Sequence, residues 1–179
     1  MTGLLKLSRA IDAVNLVFGR IAEWLVLLAA LISAGNATSR YLFSISSNAW
    51  LEIQWYMFGG MVLLGAAHTL KLNEHVRVDL IYMSVSRRTQ LWIDFLGLIC
   101  FLMPAMLVLA WISWPVFLDS FLQNEHSSNA GGLIRWPVKL LLPLGFALIA
   151  LQGISEIIKR WAALRGDLEL DLRYEKPLQ

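Results

Sequence analysis

Apolar residues concentrate in four stretches of the chain, roughly Ile21 to Phe43, Trp50 to Leu72, Leu91 to Leu118 and Pro137 to Ile158. A helix crossing about 30 Å of hydrocarbon at 1.5 Å per residue needs about 20 such residues. Each stretch therefore predicts a transmembrane helix. The first and fourth have the shortest uncharged cores, and Trp24, Tyr41, Trp136 and Trp161 extend them, since Trp and Tyr favour the headgroup level. Ahead of the first stretch, Leu4, Leu7, Ile11, Val14 and Phe18 recur at intervals of three and four, with Lys6, Arg9 and Asn15 elsewhere. That period predicts an amphipathic helix over residues 1–20, lying in the headgroup layer of the cytoplasmic face. Lys6, Arg9, Asp12 and Arg20 interrupt any cleavable signal peptide pattern. Residues 159–179 read as a charged cytoplasmic tail, and no inverted repeat relates the first pair of spans to the second. The expected fold is an all-α integral membrane protein of four transmembrane helices, one membrane domain over residues 1–179.

The basic residues orient it. Twelve of the 15 Lys and Arg fall in three segments: Lys6, Arg9 and Arg20; Lys71, Arg77, Arg87 and Arg88; and Lys159, Arg160, Arg165, Arg173 and Lys176. Arg40, Arg135 and Lys139 make up the other side. The positive-inside rule then predicts that both termini and the middle loop are cytoplasmic.

Composition narrows the function classes. Apolar residues make up 58% of the chain and charged ones 16%, against about 45–50% and about 25% in a soluble domain, which excludes both an ordinary water-soluble fold and a disordered chain. A net charge of +2 spread over short segments forms no stripe for tracking nucleic-acid phosphates. Cys100, the single cysteine, lies in an apolar run and reads as a small buried hydrophobe.

A protein that carries an ion through lipid needs ligands near the midplane, and here they are scarce. Glu23 and Asp94 sit in the first turns of their helices, where they complement the helix dipole and neighbour Arg20, Arg87 and Arg88. Glu156 with Lys159 and Arg160 has the spacing of a surface ion-pair group on a last turn. Asn36, Gln54, His68 and Gln152 are the deeper polar residues, suited to hydrogen bonds between helices. Ala30, Ala34 and Ala37 in the first span, and Gly59, Gly60, Gly65, Ala66 and Ala67 in the second, permit close backbone approach. Pro104 and Pro115 in the third span and Pro143 in the fourth remove backbone donors and can kink their helices. Only His68 of the three histidines lies within a span, so no facing pair is available to hold a haem. Neither a zinc cage nor a nucleophilic triad nor a phosphate-binding glycine loop appears. No catalytic, cofactor-binding or metal-ligating residue is therefore expected. Adjacent Gly131 and Gly132 mark a defined turn in the segment Glu125 to Arg135, just before Trp136 and Pro137.

Several local patterns, taken in order, resemble a known family. These are Arg40-Tyr41; Trp50-Leu51-Glu52-Ile53-Gln54-Trp55; Leu64-Gly65-Ala66-Ala67; and His75-Val76-Arg77-Val78-Asp79. They resemble the small membrane subunit (DctQ-type, or Q subunit) of tripartite ATP-independent periplasmic (TRAP) transporters. Gly131-Gly132-Leu133, Trp136-Pro137-Val138-Lys139, Pro143-Leu144-Gly145-Phe146 and Leu151-Gln152-Gly153 are similar to its mannitol/chloroaromatic branch. The resemblance spans about Asp12 to Arg160. Ile53 departs from it, standing where many relatives carry a second Glu after Glu52.

The resemblance implies a non-catalytic scaffold subunit of a sodium-coupled secondary transporter importing organic acids across the bacterial inner membrane. Its partners would be the large membrane (M-type) subunit, which would carry the sodium coupling, and a periplasmic substrate-binding protein (P-type). Arg40 and Glu52 are expected to brace the first two spans. Ala30, Ala34, Gly59, Gly60, Gly65 and Ala66 are candidates for subunit packing, and His75, Arg77 and Asp79 for a cytoplasmic contact. Glu125, Ser127, Asn129 and Arg135 are candidates for docking the binding protein. A membrane anchor of a respiratory or haem enzyme and a channel-like homo-oligomer are the competing classes.

Overall fold

The computed structural model describes residues 2–73, 82 and 84–169, and all its regular elements are helical. Helix α1 covers Thr2–Phe43 and α2 covers Asn48–Leu72; α3 covers Arg87–Gly97, α4 covers Met103–Leu122 and α5 covers Trp136–Leu164. A π-helical turn, Leu98–Leu102, joins α3 to α4 without a break, giving one 36-residue rod over Arg87–Leu122. Sequence chemistry explains that turn. Pro104 offers no N–H to the carbonyl four residues back, so the ladder shifts, and the Met103 N–H reaches the Leu98 carbonyl instead.

Ser47 starts α2 by accepting the Ala49 N–H at 3.3 Å, and Ser86 starts α3 by accepting that of Thr89 at 3.3 Å. Asn73 ends α2 in the left-handed region, at φ 59°. Pro137 stands in the first turn of α5, where its missing N–H costs nothing.

Helix α5 is the hub. It packs on α1, α2, α3 and α4, whereas the α3–α4 rod packs chiefly on α5. The pairings run antiparallel from α1 to α2 and from α4 to α5. At the α1–α2–α5 junction Ala22, Leu64, Ala67 and Leu148 form the buried core, with Phe18, Leu25, Leu141 and Leu144 around it. Gly145 marks the closest approach, since a Cβ there would stand 2.7 Å from the Leu63 Cβ and 2.9 Å from its carbonyl oxygen. The bundle is closed by backbone proximity more than by large side chains.

Among the described residues three helical rods are long and apolar enough to cross a membrane: Thr2–Phe43, Arg87–Leu122 and Trp136–Leu164. Helix α2 has the length, at 25 residues, but Gln54, Gly59, Gly60, Gly65 and His68 dilute its apolar character. Outward-facing apolar side chains on α1 and α4 are extensive, with Trp24, Leu31, Leu107, Trp111 and Ile112 all exposed. Aromatic groups gather at both ends of the α4–α5 pair. Trp114, Phe117, Phe121 and Trp136 form a chain at 5.4–5.9 Å spacing, while Trp92, Phe95 and Trp161 cluster at the other end. Trp136 and Trp161 lie about 37 Å apart along α5 at 1.5 Å per residue, a separation suited to two headgroup levels.

Two expectations are corrected here. No separate interfacial helix forms over residues 1–20, because α1 runs unbroken for 42 residues, about 63 Å. Leu4, Leu7 and Val14 do face outward, but the opposite polar face packs on the far end of α5 and keeps this segment in line with the span. Cys100 is exposed, carried outward on the π turn beside the exposed Ile99 and Phe101.

Candidate functional site

Two polar constellations stand at opposite ends of the bundle. The first is built on Glu52, in the second turn of α2, which is buried to 4% exposure. Its Oε1 accepts from the Ser127 hydroxyl and from the Asn129 side-chain amide at 2.7 Å. Oε2 accepts the Leu133 backbone N–H at 2.7 Å. The segment that supplies these donors is a closed loop. The His126 and Ile134 backbones bridge in antiparallel fashion, the Ser127 N–H donates to the Leu133 carbonyl at 2.9 Å, and the Arg135 N–H donates to that of Glu125 at 2.8 Å. Gly131 turns the chain at φ 68°, and Gly132 leaves room for Ser127, whose Cβ would lie 2.4 Å from an added Cβ. Asn48 adds a further tie by donating to the Ala130 carbonyl at 3.1 Å. At the loop's base Glu125 pairs with Lys139 and lies 3.6 Å from Arg135. The hydrogen bond from Lys139 holds the Glu125 carboxyl below the usual carboxylate range.

The second constellation is a seam between α1 and α5, joined by α3. Ser8 and Ser155 share a hydrogen bond at 2.7 Å, and Asn15 donates to Gln152 at 2.8 Å. Gln152 in turn donates to Asp12 and to Glu156, each at 3.0 Å, and the Ser155 hydroxyl donates to Asp12 at 2.7 Å. Lys159 bridges Asp12 at 2.7 Å and Glu156 at 2.8 Å. Arg160 bonds Glu156 within its own helix and reaches Asp94 of α3 at 3.1 Å. Ser8, Asn15, Gln152 and Ser155 are almost wholly buried, and Glu156 and Arg160 nearly so. Such groups are tolerated away from water because, apart from the Asn15 Oδ1, they meet partners of opposite polarity.

Several expected residues sit elsewhere than the sequence suggested. Arg40 is exposed at the end of α1, and Glu52 is engaged by the neutral donors of the loop. Ser127 and Asn129 turn inward to that carboxylate, so their side chains support the loop. Glu125 and Arg135 remain at its partly exposed base. Gly60 lies under Leu25 and Leu141, Gly65 meets Ala22, and Gly59 approaches Val138, so these small residues serve packing inside the chain. Ala66 is half-buried, whereas Ala30 and Ala34 are exposed on α1. Asp94 and Glu156 belong to the buried seam, a correction to their reading as surface partners of neighbouring arginines and lysines. His75, Arg77 and Asp79 lie outside the described residues. His68 packs on Gly19, near the end of the bundle opposite His126. Among the described residues no group of three His, Cys, Asp or Glu is placed to hold a metal ion.

The seam was missed in the sequence although its signal is there. Ser8, Asp12 and Asn15 fall at intervals of four and three, as do Gln152, Ser155 or Glu156, and Lys159. Two matched polar stripes of that kind predict a helix–helix contact.

Against this geometry, the family model of the DctQ component of tripartite ATP-independent periplasmic transporters matches residues 29–163. The chain belongs to the DctQ family. Its matched region takes in the Glu52 site, the loop over residues 125–135 and the α5 side of the seam, and a DctQ component is by that description part of a transporter assembly. No curated protein and no solved structure matches the chain. For a DctQ-family protein, the haem-enzyme anchor is displaced as a reading, and the multi-pass membrane character agrees with the long apolar rods.

Proposed function

We propose that this chain is the small scaffold subunit of a TRAP transporter, non-catalytic itself, which braces the large elevator subunit and helps seat the periplasmic binding protein. The observation that carries this reading is where the buried charges go. Among the described residues the charged side chains of Glu52, Asp94, Glu156 and Arg160 are buried, and each is engaged by neighbours within the chain. A solute path requires polar groups aimed into a passage; Glu156 and Arg160 aim at each other, Glu52 aims at the neutral donors of its loop, and many of the side chains turned outward are apolar. Internal charge pairing with apolar flanks suits a stationary body against which another subunit moves.

On this reading α2 is the fourth span, shielded by α1 and α5 on its less apolar faces, and both termini lie in the cytoplasm of a bacterial cell at its inner membrane. The Glu52-held loop then projects into the periplasm, where Glu125 and Arg135 at its base are the charged groups nearest to a docking protein. Organic acids are the proposed cargo and sodium the coupling ion, both handled by the large subunit. The mannitol/chloroaromatic branch is the proposed placement within the family.

Co-expression with the large subunit tests the assembly. Co-purification of the two chains through size-exclusion in detergent is expected, and separate elution of each would reject the scaffold role. For docking, Arg135→Glu is expected to raise the binding-protein concentration needed for half-maximal uptake without preventing membrane insertion. An unchanged concentration dependence would remove the docking role.

A further inference from the structure

At the end of the bundle remote from the outer loop, a cleft of about 510 Å³ opens between the start of α3 and the end of α5. Among the described residues Arg87, Arg88 and Arg165 line it together with the carboxylate of Glu169, with Leu91 and Leu164 as apolar wall. Arg165 is held in place by the indole of Trp161, its guanidinium carbon lying 5.3 Å from the ring centroid. Phe95 stacks on the same indole at 5.7 Å, which marks this as an aromatic, headgroup-level position.

The surface leading away from the cleft is apolar. From Arg88, the exposed side chains Trp92, Leu96 and Ile99 follow at intervals of four, four and three, which is one stripe along the helix. A cationic cavity at a headgroup level, continuous with an exposed apolar track, has the polarity of an amphiphile with an anionic head.

We propose that this cleft binds the phosphate of an anionic phospholipid, with one acyl chain lying along Trp92, Leu96 and Ile99. Guanidinium groups present paired N–H donors that match phosphate oxygens, and basic clefts between membrane helices suit such headgroups. A zwitterionic lipid would bring its own cation against three arginines, and a free phosphate would leave the stripe unused. The α3–α4 rod packs chiefly on α5, so a lipid spanning the α3–α5 mouth fastens the least buttressed part of the bundle. This inference rests on the membrane placement given above and not on the transport role.

Native mass spectrometry of the full chain, released from detergent and titrated with phosphatidylglycerol or phosphatidylcholine, tests it. One phosphatidylglycerol per chain is expected at concentrations where phosphatidylcholine leaves the chain bare. The double variant Arg88→Gln with Arg165→Gln is expected to weaken phosphatidylglycerol binding by about tenfold or more. Lys6→Gln with Arg9→Gln, which removes equal charge from the exposed start of α1, should leave it unchanged. Equal retention of the two lipids, or equal loss in both double variants, would overturn a specific site. Displacement of phosphatidylglycerol by millimolar inorganic phosphate would overturn the lipid assignment in favour of a soluble anion.

Discussion

The Glu52 carboxylate accepts the backbone N–H of Leu133 at 2.7 Å, across 81 positions of sequence. One side chain at the start of α2 thereby fixes the register of the loop that enters α5. Because Ser127 and Asn129 converge on the same carboxylate, a single acceptor gathers three of the loop's donors.

Glu52→Gln keeps the volume and one acceptor oxygen but places an amide N–H where a donor now points. Hydrogen exchange at the Leu133 amide is expected to accelerate by about tenfold or more, with the helices keeping their protection. Unchanged exchange in that loop would show that the glycine turn and the His126–Ile134 bridge suffice to hold it.

Acid should loosen the loop's base. The Lys139 hydrogen bond lowers the Glu125 pKa from its ordinary 4.5, so this carboxylate stabilises the folded loop above that value. The contribution is lost as pH falls through the lowered folded value. Limited proteolysis between residues 123 and 135 is expected to rise on acidification, and Glu125→Gln should remove this part of the pH dependence. A wild-type profile retained in the variant would assign the acid effect to other groups.

Arg160 carries the seam's balance on the α3 side. Removing it leaves Asp94 and Glu156, at 8% and 7% side-chain exposure, without their shared cation, a change that typically costs about 3–5 kcal/mol for a buried pair. Arg160→Ala is expected to lower the thermal unfolding midpoint in detergent much more than Lys159→Ala, since Lys159 is more exposed, at 17%. Equal midpoints would mean that the seam does not depend on the Arg160 ion pairs.

The α2–α5 contact admits no side chain at Gly145. Gly145→Val forces the backbones apart at Leu63 and is expected to destabilise the fold by about 1–3 kcal/mol through overpacking. Gly97→Ala, where an added Cβ meets nothing within 4 Å, is the control. If both variants melt alike, the close approach is not a constraint.

Much of this architecture is legible from residue patterns. The apolar stretches locate the helices, Pro104 foretells a disturbance in the third rod, and Gly131-Gly132 marks the turn. Three features are not legible, each for a physical reason. Glu52 reads as an end-of-span carboxylate because its donors are more than 70 positions away and include a backbone N–H. Glu156 and Lys159 read as surface polar residues because periodicity shows that a face is polar without showing what it meets. Residues 1–20 have the period of an interfacial helix, but the same period also describes a straight extension whose polar stripe is buried by α5.

The central claim is that this DctQ-family chain assists transport and moves no solute by itself. Uptake of labelled organic acids into proteoliposomes under an inward sodium gradient tests it most directly, comparing this chain alone with the chain plus the large subunit and the binding protein. The expected result is no accumulation above empty liposomes for the single chain and clear accumulation for the full set. Accumulation by the single chain would contradict the account.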